Sequence, residues 1–190
     1  MIEWNAIILA GGRASRLGGI DKPALVFEGS TLLQHALTAA RGATTTVVVG
    51  RDVVESPRFS GPAAATIAGL DALARPRAAF TAVVAADLPF VGSALPALLE
   101  ALEAAPFAGG VIAVDEDGRR QPLLAVYSTA ALALAGAEAR ARLENLGMMQ
   151  LIAPIHLLEV RLPAGMCADI DTSDAAARHG IALPGVLIGV

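Results

Sequence analysis

Three short runs of apolar and β-branched residues recur through the first hundred positions, and each is cut off abruptly by glycine or aspartate. Trp4 to Ala10 stops at Gly11-Gly12, Thr44 to Val49 stops at Gly50, and Phe80 to Ala86 stops at Asp87-Leu88-Pro89. Runs this short suit strands covered on both faces, as in a parallel sheet. Between them the apolar spacing becomes helical. Thr31 to Arg41 carries Leu33, Ala36, Leu37 and Ala40, with Ser30 or Thr31 available as a cap. Pro62 stands at a first helical position ahead of good helix formers from Ala63 to Ala74, and Ser93 to Ala105 repeats the pattern through Leu95, Leu98, Leu99 and Leu102. Strand and helix alternate three times across short connections, which predicts a parallel α/β core.

The remaining segments are read in the same way. Ala24 to Phe27 reads as a short extended piece before the turn Glu28-Gly29. Gly110 to Val114 and Leu123 to Tyr127 read as strands flanking the charged turn Asp115-Glu116-Asp117-Gly118. Ser128 to Asn145 reads as a long helix, Ile155 to Val160 as a strand, and Thr172 or Ser173 as the cap of a closing helix through Arg178. No internal repeat or low-complexity linker divides the chain, so 190 residues are expected to form a single domain.

Composition excludes several classes. At 55% hydrophobic residues and a mean hydropathy of +0.60, the chain holds ample material for a core, and disorder is excluded. Gly, Pro or a charged residue interrupts every apolar run before it reaches membrane-spanning length. The apolar N-terminal segment lacks a basic lead and a cleavable tail, so no signal peptide is expected. Cys167 is the sole cysteine, which leaves no internal disulfide and no thiolate cluster for zinc or iron–sulfur. A cytoplasmic location follows as the expectation. A formal charge of −4 without basic blocks disfavours a nucleic-acid surface. His35, His156 and His179 have no metal-ligand spacing, Cys167 has no visible catalytic partner, and no Gly-x-Ser-x-Gly elbow is present.

The loop from Leu9 to Pro23 concentrates four glycines, two arginines and the sole lysine of the chain, Lys22, in fifteen positions. Thirteen of the fourteen basic side chains are arginine, which marks Lys22 out. Open α/β sheets bind ligands outside the carboxyl ends of their strands, where this loop must lie. Glycine there lets backbone N–H groups approach an anion closely, and the cations neutralise it, so the loop is expected to cradle phosphate. It is neither a Walker A loop, since proline follows the lysine, nor a Gly-x-Gly-x-x-Gly fingerprint. Asp87, ending the third run at the same edge, is a hard oxygen ligand suited to hydrated Mg²⁺. A helix-capping or loop aspartate is the alternative for it. Asp169-Ile170-Asp171-Thr172 sets two carboxylates on one side of an extended segment, where they could share a cation, or else Asp171 or Thr172 caps a helix.

The arrangement Leu-Ala-Gly-Gly-x-x-x-Arg-Leu-Gly-Gly-x-Asp-Lys-Pro, together with Asp87-Leu88-Pro89-Phe90, resembles the signature of nucleotidyltransferases that join a nucleoside triphosphate to a phosphorylated acceptor. The doubled glycine before Asp-Lys is most similar to the molybdenum cofactor guanylyltransferase family, and the resemblance runs from Ala6 to about Arg178. It implies a three-layer α/β/α, Rossmann-like nucleotidyltransferase fold with a mostly parallel central sheet, residues 1–105 forming a nucleotide-binding part and 106–190 an acceptor-binding part. It implies GMP transfer from GTP to the phosphate of the molybdopterin cofactor, with Mg²⁺ and with loss of pyrophosphate. Cytidylyl transfer, transfer to another phosphorylated metabolite, and a non-catalytic nucleotide or cofactor carrier are the alternatives.

Residue by residue, the resemblance assigns Leu9, Ala10, Gly11, Gly12, Lys22, Glu55 and Asp87 to the nucleotide. It assigns Arg16, Lys22 and Asp87 to catalysis and Asp87 and Asp171 to the metal. Gly19, Asp21, Arg120, Gln121, Asp169 and Asp171 fall to the acceptor. The chain departs from the family by carrying aspartates where relatives place asparagines in the tail motif, and Gly50-Arg51 where relatives often place an asparagine. Arginines common near Gly147-Met148-Met149 are missing. Transient contact with molybdoenzymes or other cofactor-synthesis proteins is expected, and no nucleic acid or membrane partner is.

Overall fold

The computed structural model describes residues 2–11, 21–75, 77–105, 109–170, 173–178 and 180–181. A six-stranded sheet forms its centre. β1 (Trp4–Leu9) lies between β4 (Thr46–Val49) and β5 (Phe80–Ala85), parallel to both, with Ile7 opposite Val47 on one side and Val83 on the other. β7 (Arg120–Ser128) pairs antiparallel with β5 and with β6 (Gly110–Val114), and β8 (Leu158–Arg161) closes the far edge parallel to β6. The order is β4-β1-β5-β7-β6-β8, so only β7 runs against the rest. The carboxyl ends of β1, β4, β5, β6 and β8 therefore share one edge.

Alternation along the strands divides the core in two. Trp4, Ala6 and Ile8 of β1 face a cluster with Leu33 and Ala36 of α1 (Leu32–Ala39) and with Leu95, Leu98 and Leu102 of α3 (Val91–Ala104). Ile7 and Leu9 face the opposite cluster with Ile67 and Leu70 of α2 (Pro62–Ala72), Leu132 of α4 (Thr129–Ala139) and Met148 and Leu151 of α5 (Met148–Leu151). Helices cover both faces, giving the three layers expected. α2 is wedged between sheet and α4. A Cβ at Gly69 would stand 2.6 Å from Ile7 Cγ2, and one at Gly136 of α4 would collide with Ile67. Val111 of β6 and Val126 of β7 share the first cluster with Ala6 and Ala82, so the later half of the chain builds onto the same core.

Local chemistry explains several elements. The Thr31 hydroxyl accepts the Gln34 N–H at 3.1 Å and caps α1, and Ser128 accepts the Ala131 N–H at 3.3 Å and caps α4. β2 (Val26–Phe27) and β3 (Ser30–Thr31) form a small hairpin whose turn residues, Glu28 and Gly29, both have positive φ. The expected extended piece from Ala24 thus begins later, because Lys22–Ala24 winds into a 3₁₀ turn around Pro23. β7 is longer than its apolar stretch and carries Pro122 in its interior. The β6–β7 register slips between Ile112 and Ala113, so the proline sits at an irregularity that spares it a ladder bond. The buried Tyr127 hydroxyl donates to Pro122 O at 2.7 Å, and burial holds that phenol far above its ordinary range. The long helix expected from Ser128 ends earlier, giving way to a 3₁₀ turn at Arg140–Arg142 and a reversal at Asn145, where φ is 61°. α6 (Ser173–Arg178) is the expected closing helix.

At the outer flank, β4 is sealed by its own loop. The Asp52 carboxylate accepts the Val48 N–H at 2.7 Å, and Val48 O accepts the N–H groups of Arg51 and Asp52. An edge satisfied in this way offers little template for another strand.

Candidate active site at the carboxyl edge

The ends of β1, β4 and β5 are tied to one another before their loops depart. Ala10 donates its N–H to Val49 O at 2.9 Å, and Ala86 donates to Leu9 O at 3.0 Å. Gly50 follows β4 with φ +102°, and a Cβ there would stand 2.9 Å from Gly11 N. Only glycine suits that position, where two backbones meet in a left-handed conformation. This accounts for Gly50 in a place where the resemblance led one to look for an asparagine.

Lys22 and Asp87 converge across this edge. The 3₁₀ turn beginning at Lys22 is closed by Ala24 N–H to Asp21 O and by Leu25 N–H to Lys22 O, both at 3.0 Å. Asp87 leaves β5 through a turn that buries Leu88 before α3 begins. The Lys22 Nζ lies 3.5 Å from Asp87 Oδ2, with side-chain exposures of 16% and 22%. A half-buried pair of this kind is less screened than a surface pair and stays accessible from one side.

A third, smaller cluster fixes both partners. Leu25, Phe27 and Leu32 from the hairpin region pack with Ile170, Ala176 and Ile181 from the tail, and Phe90 joins them. The Phe27 and Phe90 rings meet edge to face at 5.5 Å. The Ile170 N–H donates to Asp87 O at 3.3 Å. Asp169 is exposed beside this contact, so the tail motif reaches the same edge as Lys22 and Asp87. Gly12, Arg16, Gly19 and Asp171 lie outside the described residues.

On the other side of β1, Ala10, Gly11, Gly50, Val54, Glu55, Arg58 and Phe59 line a cleft of about 200 Å³. The half-buried Glu55 accepts the Phe59 N–H at 2.7 Å through Oε1. Sequence reasoning placed Glu55 near the nucleotide but passed over Val54, Arg58 and Phe59. The available signal was faint, one aromatic side chain in a loop that also holds Val53 and Val54.

The β6–β7 turn, next to Arg120 and Gln121, which the resemblance assigns to the acceptor, stands further along the same edge. Asp115 closes the β6–β7 turn by accepting the N–H groups of Arg119 at 2.8 Å and Asp117 at 3.0 Å, and it also accepts Gln121 Nε2 at 2.8 Å. These bonds, led by the Arg119 N–H, hold its carboxyl below the usual range. The Arg120 guanidinium reaches Glu159 of β8 at 2.7 Å. Arg120 and Gln121 thus have protein partners at the base of the turn, and Asp21 is exposed at the start of the 3₁₀ turn. Cys167 is buried nearby, its thiol pushed up to about 11 by burial and by Asp115 and Glu116, which suits packing and not nucleophilic attack.

The site residues fit a magnesium ion in chemical type. Asp87 offers a hard oxygen, and the described tail carboxylate, Asp169, stands beside Ile170 at the same edge. Among the described residues no three His, Cys, Asp or Glu side chains are grouped to hold an ion.

Comparison with known proteins bears on the family and the fold. A family model described as the MobA-like NTP transferase domain matches residues 6–156. The chain is 42% identical over 113 residues to a molybdenum cofactor guanylyltransferase of Bradyrhizobium sp. (strain ORS 278), covering 50% of this chain and 52% of that protein. It is 35% identical over 147 residues to a probable molybdenum cofactor guanylyltransferase of Chloroflexus aggregans, covering 68% of this chain and 67% of that one. The chain thus spans about half of the first relative and about two thirds of the second. In fold it is similar to molybdopterin-guanine dinucleotide biosynthesis protein A from Archaeoglobus fulgidus, with a TM-score of 0.68 at 19% identity, covering 92% of this chain and 96% of that one.

Proposed function

The chain belongs to the MobA-like NTP transferase family, and from that premise we propose that it is a nucleotidyltransferase, a molybdenum cofactor guanylyltransferase. It transfers GMP from GTP to the phosphate of the molybdopterin cofactor. An acceptor phosphate oxygen attacks the α-phosphorus of GTP, the bond between that phosphorus and the oxygen bridging to the β-phosphorus breaks, and pyrophosphate leaves with the electron pair. The observation that carries this reading is the approach of Lys22 to Asp87 at 3.5 Å, from loops that leave β1 and β5 at the same edge.

A phosphate nucleophile is already ionised at neutral pH, so no strong general base is required. Catalysis becomes alignment and charge neutralisation. In this reading the backbone from Leu9 to Gly12 holds the phosphates, and Lys22 and Arg16 neutralise charge that moves onto the departing pyrophosphate. Glu55 lies on the base side. Gly19, Asp21, Arg120, Gln121, Asp169 and Asp171 face the acceptor, so residues 1–105 serve mainly the nucleotide and 106–190 mainly the cofactor.

Transfer of this kind uses a divalent ion. Asp87 and Asp171 would hold Mg²⁺, which, when bound, supplies positive charge to phosphate oxygens. No described helix is long and apolar enough to cross a membrane. A cytoplasmic site of action, with brief contacts to molybdoenzymes or other cofactor-synthesis proteins, belongs to the same proposal.

The test is incubation with each of the four nucleoside triphosphates, Mg²⁺ and molybdopterin, read by product mass and pyrophosphate release. A GMP adduct is expected. A CMP adduct in its place would reassign the base, and nucleotide retention with no pyrophosphate would make the protein a carrier.

A further inference from the structure

The cleft beside β1 has a chemistry that the phosphate loop does not need. Its floor is the backbone of Gly11 and Gly50, its polar edge is Glu55 and Arg58, and its remaining wall is apolar. Val54 at 37% and Phe59 at 49% are two of the six large hydrophobic side chains exposed among the described residues, and both line this one cleft. Phe59 also has φ 64°, a conformation that costs an aromatic residue backbone strain. The Glu55 carboxylate compensates by accepting the Phe59 N–H at 2.7 Å, which pins the loop in that posture.

The position of the cleft narrows what it takes. β4 and β5 flank β1, so their loops leave the sheet about 10 Å apart, at two interstrand spacings. Lys22 and Asp87 stand on the β5 side and the cleft on the β4 side. An occupant reaching from one to the other carries phosphate at one end. At the other end it carries a group with a flat apolar face and a polar rim, which is a nucleobase. Aromatic side chains stack on any base because every base has a π-face.

We infer that Phe59 is a nucleobase-stacking side chain and that Glu55 is the positioning residue that presents it. This inference rests on the nucleotide-binding reading above and adds a residue to it.

Calorimetric titrations with GTP and, separately, with inorganic tripolyphosphate test it. Phe59→Ala is expected to weaken GTP binding about tenfold while leaving tripolyphosphate binding as in the wild type. Phe59→Trp is expected to keep GTP affinity and to show indole emission quenched by GTP but not by tripolyphosphate. The native Trp4 is buried in β1 at 6% exposure and contributes a constant background. In the Trp-substituted protein, Glu55→Ala is expected to abolish the quenching. Glu55→Gln, whose amide oxygen can still accept the N–H, is expected to preserve it. Unchanged GTP affinity in Phe59→Ala, or quenching indifferent to Glu55→Ala, overturns the inference while leaving the phosphate site standing. A wild-type protein that binds neither ligand overturns the nucleotide reading itself, and the stacking role with it.

Discussion

Lys22 and Asp87 are 65 positions apart in sequence and 3.5 Å apart in space, and their pairing concentrates the chemistry of the site. Replacing Lys22 by alanine is expected to lower turnover by about 10²-fold or more, the scale of losing one preorganised electrostatic group, with an unchanged circular dichroism spectrum. A variant with near-wild-type turnover would remove Lys22 from the reaction. Cys167 gives a second prediction. With its thiol held up at about 11, alkylation by iodoacetamide at pH 8 is expected to be slow in the folded protein and to accelerate in step with denaturation. Fast labelling of native protein would contradict the burial described. At this scale the sequence was informative where a residue was chemically out of place. Lys22 was the single lysine among arginines, and Asp87 ended a buried strand. Phe59 left only a faint mark, because one aromatic in a loop beside Val53, Val54 and Pro57 has neither periodicity nor a motif.

The elements were legible wherever burial imposes a period. β1, β5, β6 and α3 lie close to the runs from which they were expected, since each is covered on a face that selects for apolar residues. Elements fixed by geometry were less visible. The four residues of α5 are too few to show a helical repeat. β7 hides its first residues behind Pro122, and the hairpin of β2 and β3 depends on two positive φ values that Glu28-Gly29 only hints at. The capping of α1 was readable, because Thr31 stands just before the apolar spacing begins. Thr31→Ala is expected to cost about 1 kcal/mol in urea denaturation, with an unchanged slope. No shift in midpoint would mean that the 3.1 Å bond to Gln34 contributes nothing.

For the whole molecule, the two large clusters explain the sheet and its covering helices, and the small third cluster explains why the two ends of the chain work together. Ile170 is fully buried at its centre, and Ile170→Ala is expected to destabilise the protein by about 2–5 kcal/mol. Alanine keeps the backbone N–H that donates to Asp87 O but loses the packing that holds it in place, so nucleotide affinity is expected to fall even at temperatures where the variant stays folded. Full GTP affinity in a folded Ile170→Ala protein would show that the tail and the pair are independent. Sequence reading put Asp169 and Asp171 at the site through resemblance. It did not foresee the packing of Ile170 against Leu25 and Leu32, since contacts between such distant positions leave no local pattern.

That packing also sets an order of events during synthesis. Leu25 and Ile170 can meet only after most of the polypeptide has been made, and closing so long a loop is slow compared with forming a helix or a hairpin. A nascent chain still lacking Ile170 holds Leu25, Phe27 and Leu32 but not the residues that pack against them beside the Lys22–Asp87 pair. The anchoring of the Lys22–Asp87 edge is therefore completed only once the segment around Ile170 has been made, and a nick or bulky insertion there would be felt at Leu25 and Leu32, far earlier in the chain.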